Sequence, residues 1–258
     1  MSSISTVNNS TEITPFNKQG RLDPYNIFQL NFAALGGEKN VKEDSTFLYQ
    51  GQLQMDGYAF DIQEYIKYPL KSLRIVSSNA KILYKYGDDG VNLWADQGNG
   101  QINKVYDANS PEREVQKMWE EYAYTDPKNR FFTAQATRKV NINGEPCYEI
   151  KIRNRKTDEV VTQYYSQKSY LLQREIKENS AERVQRDFSD YQAVGKTLKS
   201  HKIDLTYLDT FKNQTITWNK ISSGLFISDS KFYPPSNEKE PDDFSNLTGL
   251  GTKLNTLI

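Results

Sequence analysis

Asp56-Gly57, standing between two runs of alternating polarity, constrains this chain more tightly than any other feature. Both central positions of a two-residue hairpin turn want positive φ, which this dipeptide tolerates, and the turn then fixes the register of the flanking strands. It sets Met55 against Tyr58, Leu53 against Phe60, Gly51 against Ile62 and Phe47 against Ile66 on one face. The other face receives Gln54 with Ala59, Gln52 with Asp61 and Gln50 with Gln63. A slip of one residue would scramble this sorting, so turn chemistry and polarity pattern agree on one hairpin.

A helix precedes it. Asp23 can cap free amides and Pro24 loses nothing at the first helical position. Ile27, Leu30 and Ala34 then recur at helical spacing, with Phe28, Phe32 and Leu35 widening the same side. Gly36-Gly37 supplies the left-handed stop. Glu38 to Asp44 reads as a charged link to the first strand.

The rest of the chain repeats the strand theme. Tyr68-Pro69 breaks the pairing. Leu73 to Ser77, Lys81 to Tyr86 and Val91 to Ala95 are strand candidates, with Gly87-Asp88-Asp89-Gly90 and Gln97 to Gly100 as loops. Ser110-Pro111 opens a second amphipathic helix, expected to run to Tyr124 and to carry Val115, Met118, Trp119 and Tyr122 on one side. Phe131 to Ile142 and Cys147 to Asn154 flank Asn143-Gly144-Glu145. A three-residue loop there sets Val140 against Tyr148, Ala136 against Ile152 and Lys139 against Glu149, which sorts better than a two-residue turn. Val160 to Ser166, Leu171 to Glu178, Arg183 to Tyr191, Thr197 to Tyr207 and Phe211 to Ser222 continue at a spacing that marks an antiparallel meander, barrel or sandwich.

Composition removes several classes of function. Lys+Arg and Asp+Glu balance at 33 each, so no field selects nucleic acid or an anionic membrane. Mean hydropathy is -0.77, and no apolar run reaches the length of a membrane span. Seventeen Tyr and twelve Phe supply much of the apolar mass, which suits sheets. Met1 to Thr14 is polar and lacks the apolar segment of an export signal. Asn213-Gln214-Thr215 and Asn246-Leu247-Thr248 match the glycosylation sequon, a pattern short enough to arise by chance.

The residues offer no catalytic constellation. His201 is the single histidine and Cys147 the single cysteine, so neither a triad nor a histidine metal cluster can be built from them in the usual way. Asp88-Asp89 and Asp242-Asp243 sit in turn-like sequence, and a hydrolase working through paired carboxylates is only a remote reading. Neither a catalytic residue, a metal site nor a cofactor is expected.

Several stretches together resemble the periplasmic outer-membrane lipoprotein-sorting (LolA-like) proteins. They are Ala33-Ala34-Leu35-Gly36-Gly37 followed by a strand with Gly51, Tyr65 to Pro69 followed by Lys71 and Arg74, and Asp89-Gly90-Val91-Asn92-Leu93-Trp94. Gly144 to Ile152, Tyr164-Tyr165 through Leu171-Leu172, and Ser189-Asp190-Tyr191 with Gly195 extend the resemblance across Leu22 to Pro235. This chain departs from the family in having Thr197-Leu198-Lys199 where relatives often place Pro, and in showing no export signal.

The resemblance implies a mainly β fold: a single antiparallel sheet curled into an incomplete barrel, with two or more α-helices covering its concave side. Residues 1–20, polar and without periodicity, read as a flexible tail, 21–235 as the domain and 236–258 as an extension, the run after Tyr233-Pro234-Pro235 being polar. The resemblance further implies a non-enzymatic carrier holding acyl chains of lipids or lipoproteins between sheet and helices. One long acyl chain would contribute roughly 10 kcal/mol, at about 0.8 per methylene, before ordering costs. The expected cavity residues are Phe47, Tyr49, Leu53, Met55, Phe60, Ile62, Trp94 and Trp119; the same side chains would equally serve as packed core. Arg74 is either the arginine that locks the family's lid or a sheet-edge charge. A monomer in the periplasm or cell envelope is expected, its export signal removed, with envelope proteins as further partners and no nucleic acid. The alternative is an interaction or envelope-stress sensing module whose core is filled.

Overall fold

Asp56 and Gly57 both take positive φ (52° and 81°) and fold β1 (Thr46–Met55) back onto β2 (Tyr58–Lys67). The register is the one the dipeptide dictates, from Met55 opposite Tyr58 to Phe47 opposite Ile66, with every intervening pair as expected. A computed structural model describes residues 13–98, 101–106, 111–178 and 183–235 of the chain. The stretches 1–12 and 236–258, which hold most of the expected tail, Asp242-Asp243 and the second sequon, lie outside the described residues, as do Ser110 and residues 99–100 of the expected loop.

From β2 the chain meanders outward through β3 (Lys71–Ser78), β4 (Lys81–Asp89), β5 (Leu93–Asp96) and β6 (Ile102–Tyr106). It then starts a second meander: β7 (Phe132–Ile142), β8 (Glu145–Asn154), β9 (Val160–Ser166), β10 (Leu172–Glu178), β11 (Arg183–Val194), β12 (Thr197–Tyr207) and β13 (Lys212–Ser223). β13 pairs with β1, so the two meanders form one 13-stranded antiparallel sheet in the order β6-β5-β4-β3-β2-β1-β13-β12-β11-β10-β9-β8-β7. β6 and β7 remain its two edges, so the curl does not close.

Among the described residues three helices accompany the sheet. α1 (Pro24–Ala34) starts as expected, the Asp23 carboxylate accepting from the Tyr25 amide, and buries Ile27, Phe28 and Phe32. Its apolar side meets Phe132, Tyr148, Ile150, Ile152 and Tyr165 on the concave face of β7–β9. The expected charged link is instead a short helix, α2 (Glu38–Glu43). Its lone apolar residue, Val41, is buried, while Lys42 pairs with Glu38 one turn away at 2.7 Å. α3 (Pro111–Glu120) ends four residues before the expected Tyr124. Tyr122 takes a positive φ of 56° there, and a 3-10 turn (Ala123–Thr125) brings Tyr124 back to stack on Trp119 at 4.5 Å. That aromatic stack, closed by Phe28 at 5.4 Å from Tyr124, outweighs the helical period.

The hairpin between β7 and β8 corrects the sequence reading. Asn143-Gly144 makes a two-residue turn, both residues at positive φ, with Ile142 opposite Glu145. A bulge at Thr137 then shifts the register, so that Ala136 and Ala134 face Ile150 and Ile152. The bulge restores the sorting that a regular two-residue hairpin lacks. Similarly, Gly87-Asp88-Asp89 continues β4 rather than looping, and β6 has no counterpart in the expected strands.

Apolar side chains occupy both faces. On the concave face Leu53, Ile62, Val76, Leu205, Ile216 and Trp218 form a second cluster. On the opposite face Leu73, Trp94 and Ile102 are covered by Ile227 and Phe232, which belong to the segment following β13. That segment is pinned by Asp229 to Lys67 (2.6 Å) and Lys71 (2.7 Å), and ends in a 3-10 turn, Asp229–Phe232.

Candidate functional site

Alternation along the strands turns Tyr49 of β1, Ile66 of β2 and Arg74 of β3 to the same side as Tyr165 of β9 and Arg186 of β11. Because the sheet is curled, these residues from distant strands face one another across a hollow, a cavity of about 370 Å3. Leu35 and Val41 close it from α1–α2, and Gln116, Glu120, Tyr122 and Tyr124 close it from α3 and the turn that follows. A volume of this size lies within the range of roughly 300–1,000 Å3 that small-molecule sites occupy.

Six tyrosines line the wall. Tyr49 leans on Trp218 at 5.1 Å, Tyr191 donates its hydroxyl to the Leu172 carbonyl at 2.7 Å, and Tyr165 donates to Gln163 at 2.6 Å. Burial pushes the phenol of Tyr122 up to about 12 and those of Tyr49, Tyr124 and Tyr191 higher still, so all are neutral hydroxyls at physiological pH.

The charged groups in the wall are for the most part tied down. Arg74 holds Glu64, its cross-strand neighbour, at 2.9 Å, and both are nearly buried. Arg186 and Gln163 bind the two oxygens of Glu175 at 3.2 and 2.9 Å. Lys71 belongs to Asp229. Lys199 lies 4.2 Å above the Phe47 ring, and burial lowers its ammonium below the usual lysine range. Glu120 differs from these. On the last turn of α3 it reaches the cavity without a hydrogen-bond or ion-pair partner among the described residues. Burial holds its carboxyl up at about 7, against the pull of Arg186 and Lys177.

Only Tyr49 of the eight expected residues lines the cavity. Leu53, Phe60 and Ile62 share its face but pack behind the wall, against Leu205, Ile216 and Trp218. Phe47 is fully buried between Tyr49 (5.8 Å), Tyr68 (6.0 Å) and Lys199. Met55 lies at the hairpin tip, where its sulfur accepts from Gln214. Trp119 backs Tyr124. Trp94 is on the opposite face of the sheet, its indole N–H donating to the Phe232 carbonyl at 2.8 Å. Arg74 is not an edge charge, since β3 is interior to the sheet, and it pairs with Glu64. The arginine that fastens α3 is Arg113, bidentate to Asp88 of β4 at 2.6 and 2.7 Å. Nothing in the local sequence could pair Arg113 with Asp88, because the contact depends on how α3 crosses the sheet.

Cys147 is buried in β8 and its thiol is pushed up to about 11 by burial. His201 is buried in β12, its Nδ1 2.8 Å from the Trp218 carbonyl. No helix among the described residues is long and apolar enough to cross a membrane.

No family model matches the chain, and a search of curated proteins finds no relative. Solved structures do match. A DUF1329 family protein from Desulfovibrio piger superposes with a TM-score of 0.57 at 12% identity, covering 80% of this chain and 95% of that one. A putative outer membrane lipoprotein-sorting protein domain from Vibrio parahaemolyticus gives 0.55 at 8%, covering 81% and 95%. A LolA superfamily protein from Nitrosomonas europaea gives 0.52 at 11%, covering 79% and 97%. At such identities the likeness is one of fold, and the fold is the LolA-like one that the sequence motifs resemble.

Proposed function

We propose that residues 21–235 form a non-enzymatic carrier-type domain that holds the acyl chains of a lipid or lipoprotein in the cavity between sheet and helices. The observation that carries this reading is the cavity itself. Between the sheet and the helices about 370 Å3 stays open, walled mainly by tyrosines and aliphatic side chains. Each methylene placed there is worth about 0.8 kcal/mol, and no reacting group is required. The fold shared with a lipoprotein-sorting domain supports the same reading and favours the periplasm or cell envelope as its location. Glu64 and Glu175 are each bonded to an arginine, the arrangement of structural ion pairs rather than of an acid–base pair.

The test is extraction. Protein purified from its native envelope without detergent, then denatured in organic solvent, should release an acyl-bearing lipid at close to one per chain by mass spectrometry. Recovery of no apolar molecule, from protein that also fails to take up added fatty acid, would leave an interaction or stress-sensing module with an empty hollow.

A further inference from the structure

The cavity wall carries two carboxylates, and only one of them is neutralised. Glu64 has Arg74 at 2.9 Å, whereas Glu120 has no partner among the described residues. Tyr68, Tyr122, Tyr49 and Tyr124 line the same wall, and the cations whose fields reach Glu120, Arg186 and Lys177, are paired with Glu175 and Glu159. The cations of the same wall have other commitments, Lys71 to Asp229, Arg186 to Glu175 and Lys199 to the Phe47 ring. Glu120 is half-buried, and a carboxylate set among neutral aromatic rings is the chemistry that receives an alkylated or primary ammonium group.

We infer that the cavity selects amphiphiles with a cationic amine head, Glu120 supplying the counter-charge and Tyr68, Tyr122 and Tyr49 the surrounding rings, while the chain lies along the rest of the wall. This assignment rests on the carrier reading, since it specifies the head of a molecule whose tail that reading places.

The experiment compares four probes with the same chain: dodecyltrimethylammonium, dodecylamine, dodecanoate and dodecanol, titrated calorimetrically below their micellar concentrations at pH 8. Wild-type protein should bind both cationic probes about tenfold or more tightly than dodecanol, and dodecanoate no better than dodecanol. Glu120→Gln should bring the cation-to-alcohol affinity ratio close to one, and Glu120→Asp should keep part of it. A wild-type ratio near one, a preference for dodecanoate, or a ratio unmoved by Glu120→Gln overturns the head assignment and leaves the carrier reading standing. Failure of all four probes to saturate overturns both.

Discussion

Gly51 lies where the pairing of β1 with β13 shifts register, and a Cβ built there would sit 2.0 Å from the Thr217 carbonyl oxygen and 2.9 Å from Trp218 Cα. Backbone cannot yield as a side-chain tip can, so Gly51→Ala should cost more than about 2 kcal/mol in urea unfolding, at the junction of the two meanders. Leu53, two residues on, is 2% exposed and packed in the second cluster, so Leu53→Ala should cost about 2–5 kcal/mol, whereas Gln52→Ala on the other face stays within about 0.5. Glu120 makes a different prediction. Its folded pKa, about 7, lies above the ordinary carboxyl value, so the folded state binds more protons than the unfolded one between roughly pH 4.5 and 7. Stability therefore falls as pH rises through that window. Glu120→Gln should flatten that fall and make the protein more stable than wild type at pH 8, by about 1–3 kcal/mol. A variant that is less stable than wild type at pH 8 would mean the carboxylate is held by something else.

Among the elements, the ones fixed by local chemistry were legible and the ones fixed by distant contacts were not. The first hairpin was readable in full because turn and alternation carry the same information. The β7–β8 hairpin was misread because a single bulge at Thr137 breaks the parity on which register arguments rest. Thr137 itself donates to Glu149 at 2.5 Å, with Arg138 on the same carboxylate, a set of contacts invisible to any periodic count. The segment after β13 is another case. Its sequence shows no period, yet Phe232 is 0% exposed and carries the cover of the convex face. Phe232→Ala should cost about 3–5 kcal/mol while leaving acyl-chain binding in place, because the cavity is on the other side of the sheet. Binding lost in a variant that still folds would mean that this segment and the cavity are linked.

At the scale of the molecule, every neighbouring pair is antiparallel and, β1–β13 apart, consecutive in the chain, which is what strand spacing in the sequence reports. The cavity could not be read in the same way. Alternation tells which side chains face inward, and gives the same answer for a packed wall and a hollow one. That is why Leu53, Phe60 and Ile62 were grouped with Tyr49, although three of these four belong to packed core. The hollow arises where α1–α2 and α3 leave the space between the two halves of the curled sheet unfilled, a property of long-range geometry. The most direct test of the account therefore fills that space. Ile66 lines the cavity and is half-buried, so Ile66→Trp adds bulk toward the hollow instead of toward packed core. Equilibrium binding of a fluorescent fatty acid should saturate at one site per wild-type chain and persist in folded Leu53→Ala. In Ile66→Trp it should weaken by about tenfold or more, with stability changed by no more than about 1 kcal/mol. Wild-type protein that shows no saturable uptake, or an Ile66→Trp variant that binds as well as wild type, would contradict the claim that this cavity holds the chain.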